Sequence, residues 1–221
     1  MAKQLAFVHT VPGLVPTFAD LARANMPGWE TFNIVDESLL RNTIRSGRLT
    51  EATMRRVAGH VWSAVDAGAD AVLVTCSSIG PAVDATRALC PVPLFRIDQE
   101  MADRAVATGA RIGVLATLNS TLQPTRDLVA RRAEQAGRSV EIRDDVCQGA
   151  FEALQRGDRD GHDRAVADAL LRMIPTVDVI VLAQASMARV VDTLPAGTVT
   201  VPVLTSPGSA MERLAAELPA A

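Results

Sequence analysis

The chain contains no tyrosine, and its other large rings amount to two Trp and five Phe in 221 residues. Single-stranded nucleic acid stacks on exposed rings, and carbohydrate platforms use them too, so neither kind of surface is expected. Charge of one sign is equally scarce. With 22 Lys and Arg against 25 Asp and Glu the formal net charge is −3, and no basic run could follow a phosphate backbone. Long apolar runs are missing, since the longest, residues 178–183, falls far short of the roughly 20 residues of a membrane span. Three cysteines (Cys76, Cys90, Cys147) and three histidines (His9, His60, His162) are too few and too scattered for a disulfide framework or a metal site. The opening MAKQLAFVHTVPG lacks the apolar core and cleavage site of a secretory leader. No strand leads into GxGxxG or GxxxxGK[ST], which argues against a nucleotide cofactor. The expectation is a reduced, cytoplasmic protein, with no metal or other cofactor, that meets a small molecule and neither nucleic acid nor membrane.

What the chain does have is apolar residues in abundance, 48% of the total, arranged as short β-rich runs alternating with helical stretches. Strands are expected at 5–10, 71–75, 92–95, 112–116, 140–143, 179–183 and 201–204. Residues 49–68 space Met54, Val57, Val61 and Val65 as one helical face and end on Gly68, a residue suited to the position just past a helix. Strands alternating with helices indicate βαβ units and a mainly parallel sheet.

The chain is also written twice. Residues 70–84 lie over 178–192 at an offset of 108, with Asp70, Ser78, Val83 and Asp84 meeting Asp178, Ser186, Val191 and Asp192. The run at Leu5 matches the run at Ile112, including Thr10 with Thr117, and Val92-Pro93 matches Val201-Pro202. The expected fold is therefore α/β in two pseudo-symmetric lobes, each a mainly parallel sheet flanked by helices. We assign 1–108 and 109–208 to the lobes and 209–221 to a C-terminal helix returning to the first. Ligands of open α/β sheets bind beyond the carboxyl ends of the strands, which places an active site in a cleft between the two lobes.

Cys76 ends the strand in Val-Leu-Val-Thr75-Cys76-Ser77-Ser78-Ile79-Gly80-Pro81. Pro81 suits a first helical turn, so a helix is expected to begin just past the thiol, where backbone N–H groups attract anions and can lower a thiol pKa. Ser77 and Ser78 add donors for a carboxylate or enolate oxygen. The plainer reading makes Cys76 a small buried hydrophobe and the serines helix caps. Cys90, before Pro91, looks like packing, and Cys147 has no place in the repeat.

With its duplicated lobes, its TCSSIG after the third strand and its ATLNSTLQP after the first strand of the second lobe, the chain resembles the aspartate/glutamate/hydantoin racemase superfamily over nearly its whole length. That superfamily also contains maleate isomerases and arylmalonate decarboxylases. The resemblance implies a cofactor-independent enzyme in which paired thiols, one from each lobe, move a proton at a carbon next to a carboxylate. It places Cys76 on the first thiol and Thr117 and Thr121 on hydroxyls that bind the substrate carboxylate, with Asn119 beside them. Relatives often dimerise, so a homodimer or higher homo-oligomer is expected.

The repeat puts Gln184 where the second thiol would stand, with Ser186 near it, and an amide cannot take a proton from carbon. Three mechanisms stay open: proton delivery by Cys76 to one face of an enolate, thiolate addition to a double bond that then rotates, or racemisation with a different second base. His9, at the end of the first strand, is the candidate for that base. Asp36 and Glu37 follow another strand, but they also read as a helix N-terminus, where negative charge is favourable. A lobe pair that only binds a small acid is the non-catalytic alternative. Ile79 and Met187 flank the site and would suit a partly apolar substrate.

Overall fold

In the computed structural model, which describes residues 2–220, each half of the chain folds around a parallel sheet. The elements in chain order are β1 (Gln4–His9), α1 (Val15–Asn25), β2 (Glu30–Val35), α2 (Glu37–Ser46), α3 (Glu51–Asp66), β3 (Ala71–Val74), α4 (Gly80–Arg87), β4 (Leu94–Arg96) and α5 (Gln99–Thr108). They continue with β5 (Arg111–Ala116), α6 (Asn119–Gln135), β6 (Glu141–Val146), α7 (Ala150–Gln155), α8 (Arg159–Met173), β7 (Val179–Leu182), α9 (Ala188–Thr193), β8 (Val203–Thr205) and α10 (Ser206–Glu217). The strand orders are β2-β1-β3-β4 and β6-β5-β7-β8, and every pairing is parallel. The same order appears twice because the same strand–helix pattern is written twice. No helix among the described residues is long and apolar enough to cross a membrane.

Local chemistry sets the helix ends. Asp36 caps α2 by accepting from the Ser38 amide at 3.0 Å, and Gly47 closes the helix at φ +66°. Thr50 caps α3, and Gly68 follows it at φ +94°, a conformation that favours glycine. Because side chains alternate along a strand, each sheet feeds two cores. On the first, Leu5, Phe7 and Leu73 pack with α1 and α10 through Phe18, Met211 and Leu214, while Ala6, Val8 and Val74 pack with α3 and α4 through Val57, Val61 and Val83. On the second, Val114 and Val181 meet α5 and α6, and Leu115 and Ile180 meet α8. Each fully buried Leu, Val or Phe contributes on the order of 1.5–3 kcal/mol.

The chain divides into one unit containing the described residues up to Gln99 and from Pro207 onward, and another spanning Glu100–Ser206. The boundary expected at 108 therefore lies earlier. Helix α5 was assigned to the first lobe, but it buries Met101, Ala102, Ala105 and Val106 in the second unit's core. Its apolar stripe is plain in the sequence, but nothing in the stripe says which sheet it covers.

The repeated aspartates have a structural task. Asp70 accepts from the Gln4 amide at 2.8 Å, tying the start of β1 to β3. Asp178 accepts from the Arg111 amide at 2.8 Å and from its guanidinium at 2.6 and 3.1 Å, tying β5 to β7. The Arg111 side chain and amide hold the Asp178 carboxyl at about 2, below its ordinary 3.8. A carboxyl depressed on folding stabilises the protein above its unfolded value, and that stability is lost as pH falls through the folded one. Urea unfolding should thus show Asp178→Asn to be less stable than wild type near neutrality, with the gap closing between about pH 4 and about pH 2. A gap that stays constant across this window would remove the carboxylate from the explanation.

Candidate active site

In the first unit, Cys76 lies two residues past the end of β3 and opens a single 3₁₀ turn, Ser77–Ile79, that runs into α4. Pro81 lies in the first turn of that helix, as its fixed φ permits. The thiol is half-buried. Burial pushes its pKa above the ordinary thiol value, against the pull of the Thr10 hydroxyl, the Ser78 and Ile79 amides and the Ser78 hydroxyl. The direction is opposite to the lowering expected from a helix start. The strand end sits in the apolar layer of Val8, Val74 and Ile79, and desolvation of a thiolate there outweighs a few N–H and O–H dipoles.

Thr10 was not singled out as a site residue, although its match with Thr117 was visible in the repeat. In the second unit Thr117 does the corresponding work. Its amide donates to Gln184 Oε1 at 2.6 Å and its hydroxyl donates to the same atom at 3.0 Å. A threonine just past β1 or β5 thus meets the second residue past the neighbouring strand in both units, a thiol in one and an amide in the other. Because a backbone N–H can only donate, the atom it meets on Gln184 is the carbonyl oxygen, and the NH₂ end is left to offer two donors.

The other expected residues are distributed as follows. Ser77 and Ser78 are buried, and the Ser78 hydroxyl is turned on the Cys76 sulfur. Asn119 begins α6, and Thr121, two residues on, is buried. Ser120, between them, was not anticipated; its hydroxyl is buried with no hydrogen-bond partner among the described residues, a rare condition for a buried polar group. Ser186 is half-buried in the 3₁₀ turn after Gln184. Ile79 and Met187, expected to flank a substrate, have no exposed surface and belong to the cores.

His9 does not stand free as a second base. It has no exposed surface, its Nδ1 lies 2.8 Å from Thr75 Oγ1 and its Nε2 lies 2.9 Å from Asn33 Oδ1. Both ring nitrogens are thus engaged, and the Thr75 hydroxyl also donates to the Val8 carbonyl at 3.2 Å. Burial lowers the ring's pKa, against the pull of Asn33, so the neutral form is favoured. The ring pins the residues preceding Thr10 and Cys76 to each other. Asp36 caps α2 and also meets Arg56 at 2.5 Å and His60 at 2.7 Å. Burial alone would raise its carboxyl, but Ser38, His60 and Arg56 together hold it below its ordinary value. Glu37 is the first residue of α2, in the acidic first turn that the helix dipole favours. Cys147 is fully buried in the second unit; burial, with Asp145 adding to it, pushes its thiol up to about 12.

A cavity of about 300 Å³ in the first unit is lined by Arg87, Val92, Leu94, Phe95, Gln99 and Arg213 among others, and none of the residues above contributes to it. Among the described residues no three His, Cys, Asp or Glu side chains are grouped to hold a metal ion.

The family model for Asp/Glu/Hydantoin racemase matches residues 12–214. The chain belongs to the Asp/Glu/hydantoin racemase family. No curated protein sequence matches it. Solved structures of similar fold include allantoin racemase from Klebsiella pneumoniae, 18% identical over 100% of this chain and 91% of that one, with a TM-score of 0.68. Allantoin racemase from Pseudomonas fluorescens is 22% identical over 97% and 90%, with a TM-score of 0.65. Glutamate racemase from Francisella tularensis, solved with D-glutamate, is 15% identical over 97% and 80%, with a TM-score of 0.73. At these identities the likeness establishes the racemase fold, two four-stranded parallel sheets flanked by helices, and leaves the substrate to be argued from this chain's own residues.

Proposed function

We propose that the protein is a cofactor-independent, isomerase-type enzyme that moves a proton at a carbon next to a carboxylate in a small acid. Cys76 is the acid–base group. The observation that carries this reading is the matched pair of threonine contacts, Thr10 on Cys76 and Thr117 on Gln184, at equivalent strand ends of a racemase-family chain. As thiolate, Cys76 takes the α-proton and leaves an enolate. As thiol, it returns a proton from solvent to the same carbon. The hydroxyls of Thr117 and Thr121, the Asn119 amide and Ser186 are assigned to the carboxylate, with Ser77 beside the thiol. The Gln184 NH₂ is suited to the oxygen on which enolate charge develops.

A second reading, one-thiol decarboxylation, is favoured by two observations: the raised pKa of Cys76 and the locked carbonyl of Gln184. A resting thiol is ready to protonate the enolate left when carbon dioxide departs, and no base is then needed at Gln184. Proton NMR in D₂O with amino acids, hydantoins, maleate and substituted malonates tests both. Deuterium entering an α-carbon supports the isomerase reading, and loss of carbon dioxide with deuterium on one face supports the second. Unchanged spectra for every acid, with line broadening on binding, would overturn both in favour of a non-catalytic binding protein.

A further inference from the structure

The first unit buries an ion pair that neither reading uses. Arg96, the last residue of β4, is 3% exposed, and Asp98 beside it has no exposed surface. Arg96 Nε donates to Asp98 Oδ1 at 2.7 Å and Nη2 donates to Asp98 Oδ2 at 2.9 Å. Nη1 donates to the carboxylate of Asp84 on α4. Every nitrogen of the guanidinium is thus engaged, and its plane is fixed at both edges. Buried ion pairs cost desolvation and are weak evidence of stabilisation, so the arrangement calls for a geometric purpose.

That purpose is visible at Gly80. A Cβ on this residue would lie 2.3 Å from Arg96 Nη2 and 2.5 Å from Cζ, so the guanidinium rests directly against a backbone that only glycine can offer. Gly80 closes the turn that Cys76 opens, and within that turn the Ile79 amide returns to the Cys76 carbonyl at 3.3 Å. The second unit supplies an internal comparison. Strand register pairs Val74 with Arg96 and, equivalently, Leu182 with Thr205. Counting on from Val74 and Leu182, the partner of Cys76 is Gln184 and that of Gly80 is Ala188. Thiol, glycine and arginine occur together in one unit. An amide, an alanine and a threonine replace them together in the other.

We propose that Arg96, clamped by Asp98 and Asp84, is a positioning residue: seated against Gly80, it sets the 76–80 turn, closed by the Ile79 amide on the Cys76 carbonyl, and so fixes where the Cys76 sulfur stands. The inference rests on Cys76 being the working thiol. Two carboxylates offset the guanidinium charge, so its contribution is one of shape. The test is peptide-resolved alkylation by iodoacetamide near neutral pH, with half-buried Cys90 of the same unit as internal reference. Gly80→Ala and Arg96→Lys should each slow labelling of Cys76 about tenfold, because the bonds that favour thiolate are lost while the apolar layer around the sulfur stays. Cys90 should keep its rate. The double variant should be no slower than the slower single one, since both substitutions remove the same support. An unchanged Cys76 rate, equal changes at Cys76 and Cys90, or losses that multiply would each overturn the proposal. Should Gly80→Ala not fold, Asp84→Asn at the partly exposed edge of the clamp takes its place, with a smaller slowing confined to Cys76 expected. Labelling needs no substrate, so failure of every acid to turn over would refute the proposed reaction without touching this result.

Discussion

Cys76→Ala should lose at least about a thousandfold in hydrogen exchange at the α-carbon of whichever acid the wild type accepts, the range expected when a positioned acid–base group is removed. The fall should appear in kcat, with KM little changed, because the carboxylate is assigned to Thr117, Asn119 and Thr121, which the substitution leaves alone. Stability should change by no more than about 1 kcal/mol, since the side chain is half-buried and small. Cys76→Ser separates acid–base chemistry from packing. It preserves shape and the contacts with Thr10 and Ser78, yet an alcohol is too weak an acid and its alkoxide too costly to form in that apolar layer. Both variants should therefore be equally inactive. Urea melts that match wild type, beside exchange rates that do not, would confirm the assignment. Full exchange in Cys76→Ala would end it. The pH profile follows from the same burial. Because the thiol titrates above its ordinary value, the exchange rate limited by thiolate should still be climbing at pH 9, whereas a step that consumes the thiol form should be flat there.

How far the sequence could be read depends on the range of the interaction involved. The strands around Ala71, Ile112 and Val179 were legible because burial on both faces leaves continuous apolar runs. The repeat was legible because Asp70 and Asp178 perform the same backbone tie in each unit. Strand ends shifted by one to three residues, most at β6, expected to end at Arg143 and ending at Val146. What could not be read is whatever joins residues far apart in the chain. Thr10 touches the sulfur of a residue 66 positions later, and local pattern does not reveal such a bond. His9 looked like a base at a strand end because the sequence does not show Asn33 and Thr75 closing on its two nitrogens. The sign of the Cys76 shift was misjudged for the same reason: a helix start is visible locally, whereas desolvation is the sum of everything packed around the thiol. The seat of Arg96 against Gly80 carries no local signal either, because a charged residue in a strand ordinarily reads as solvated.

The second large effect concerns Gln184, and here a gain of function is expected. Two thiols, one from each half of the chain, are what the racemase resemblance implies for forming both enantiomers, and the internal repeat aligns Cys76 with an amide, Gln184. Its carbonyl is occupied by the Thr117 amide and hydroxyl, so the side chain can offer hydrogen bonds but cannot accept a proton. In Gln184→Cys the same two Thr117 donors would be free to meet sulfur, as Thr10 meets Cys76, and would favour a thiolate there. Wild-type protein should then wash solvent deuterium into its substrate far faster than it inverts it. Gln184→Cys should form the opposite enantiomer at least about a hundredfold faster than wild type, the low end of what one acid–base group supplies. Chiral chromatography of the product, run beside the deuterium count, reads both quantities in one sample. Adding Thr117→Val, which removes the hydroxyl and keeps the amide, should reduce the new activity but leave exchange at Cys76 in place. If Gln184→Cys still exchanges without inversion, Gln184 does not occupy the second proton-transfer position, and the repeat at 178–192 is a likeness of fold alone. If inversion is already as fast in the wild type, a second base exists that is neither Gln184 nor the buried His9. In that case the half-buried groups of the second unit, Ser186 first, become the residues to replace.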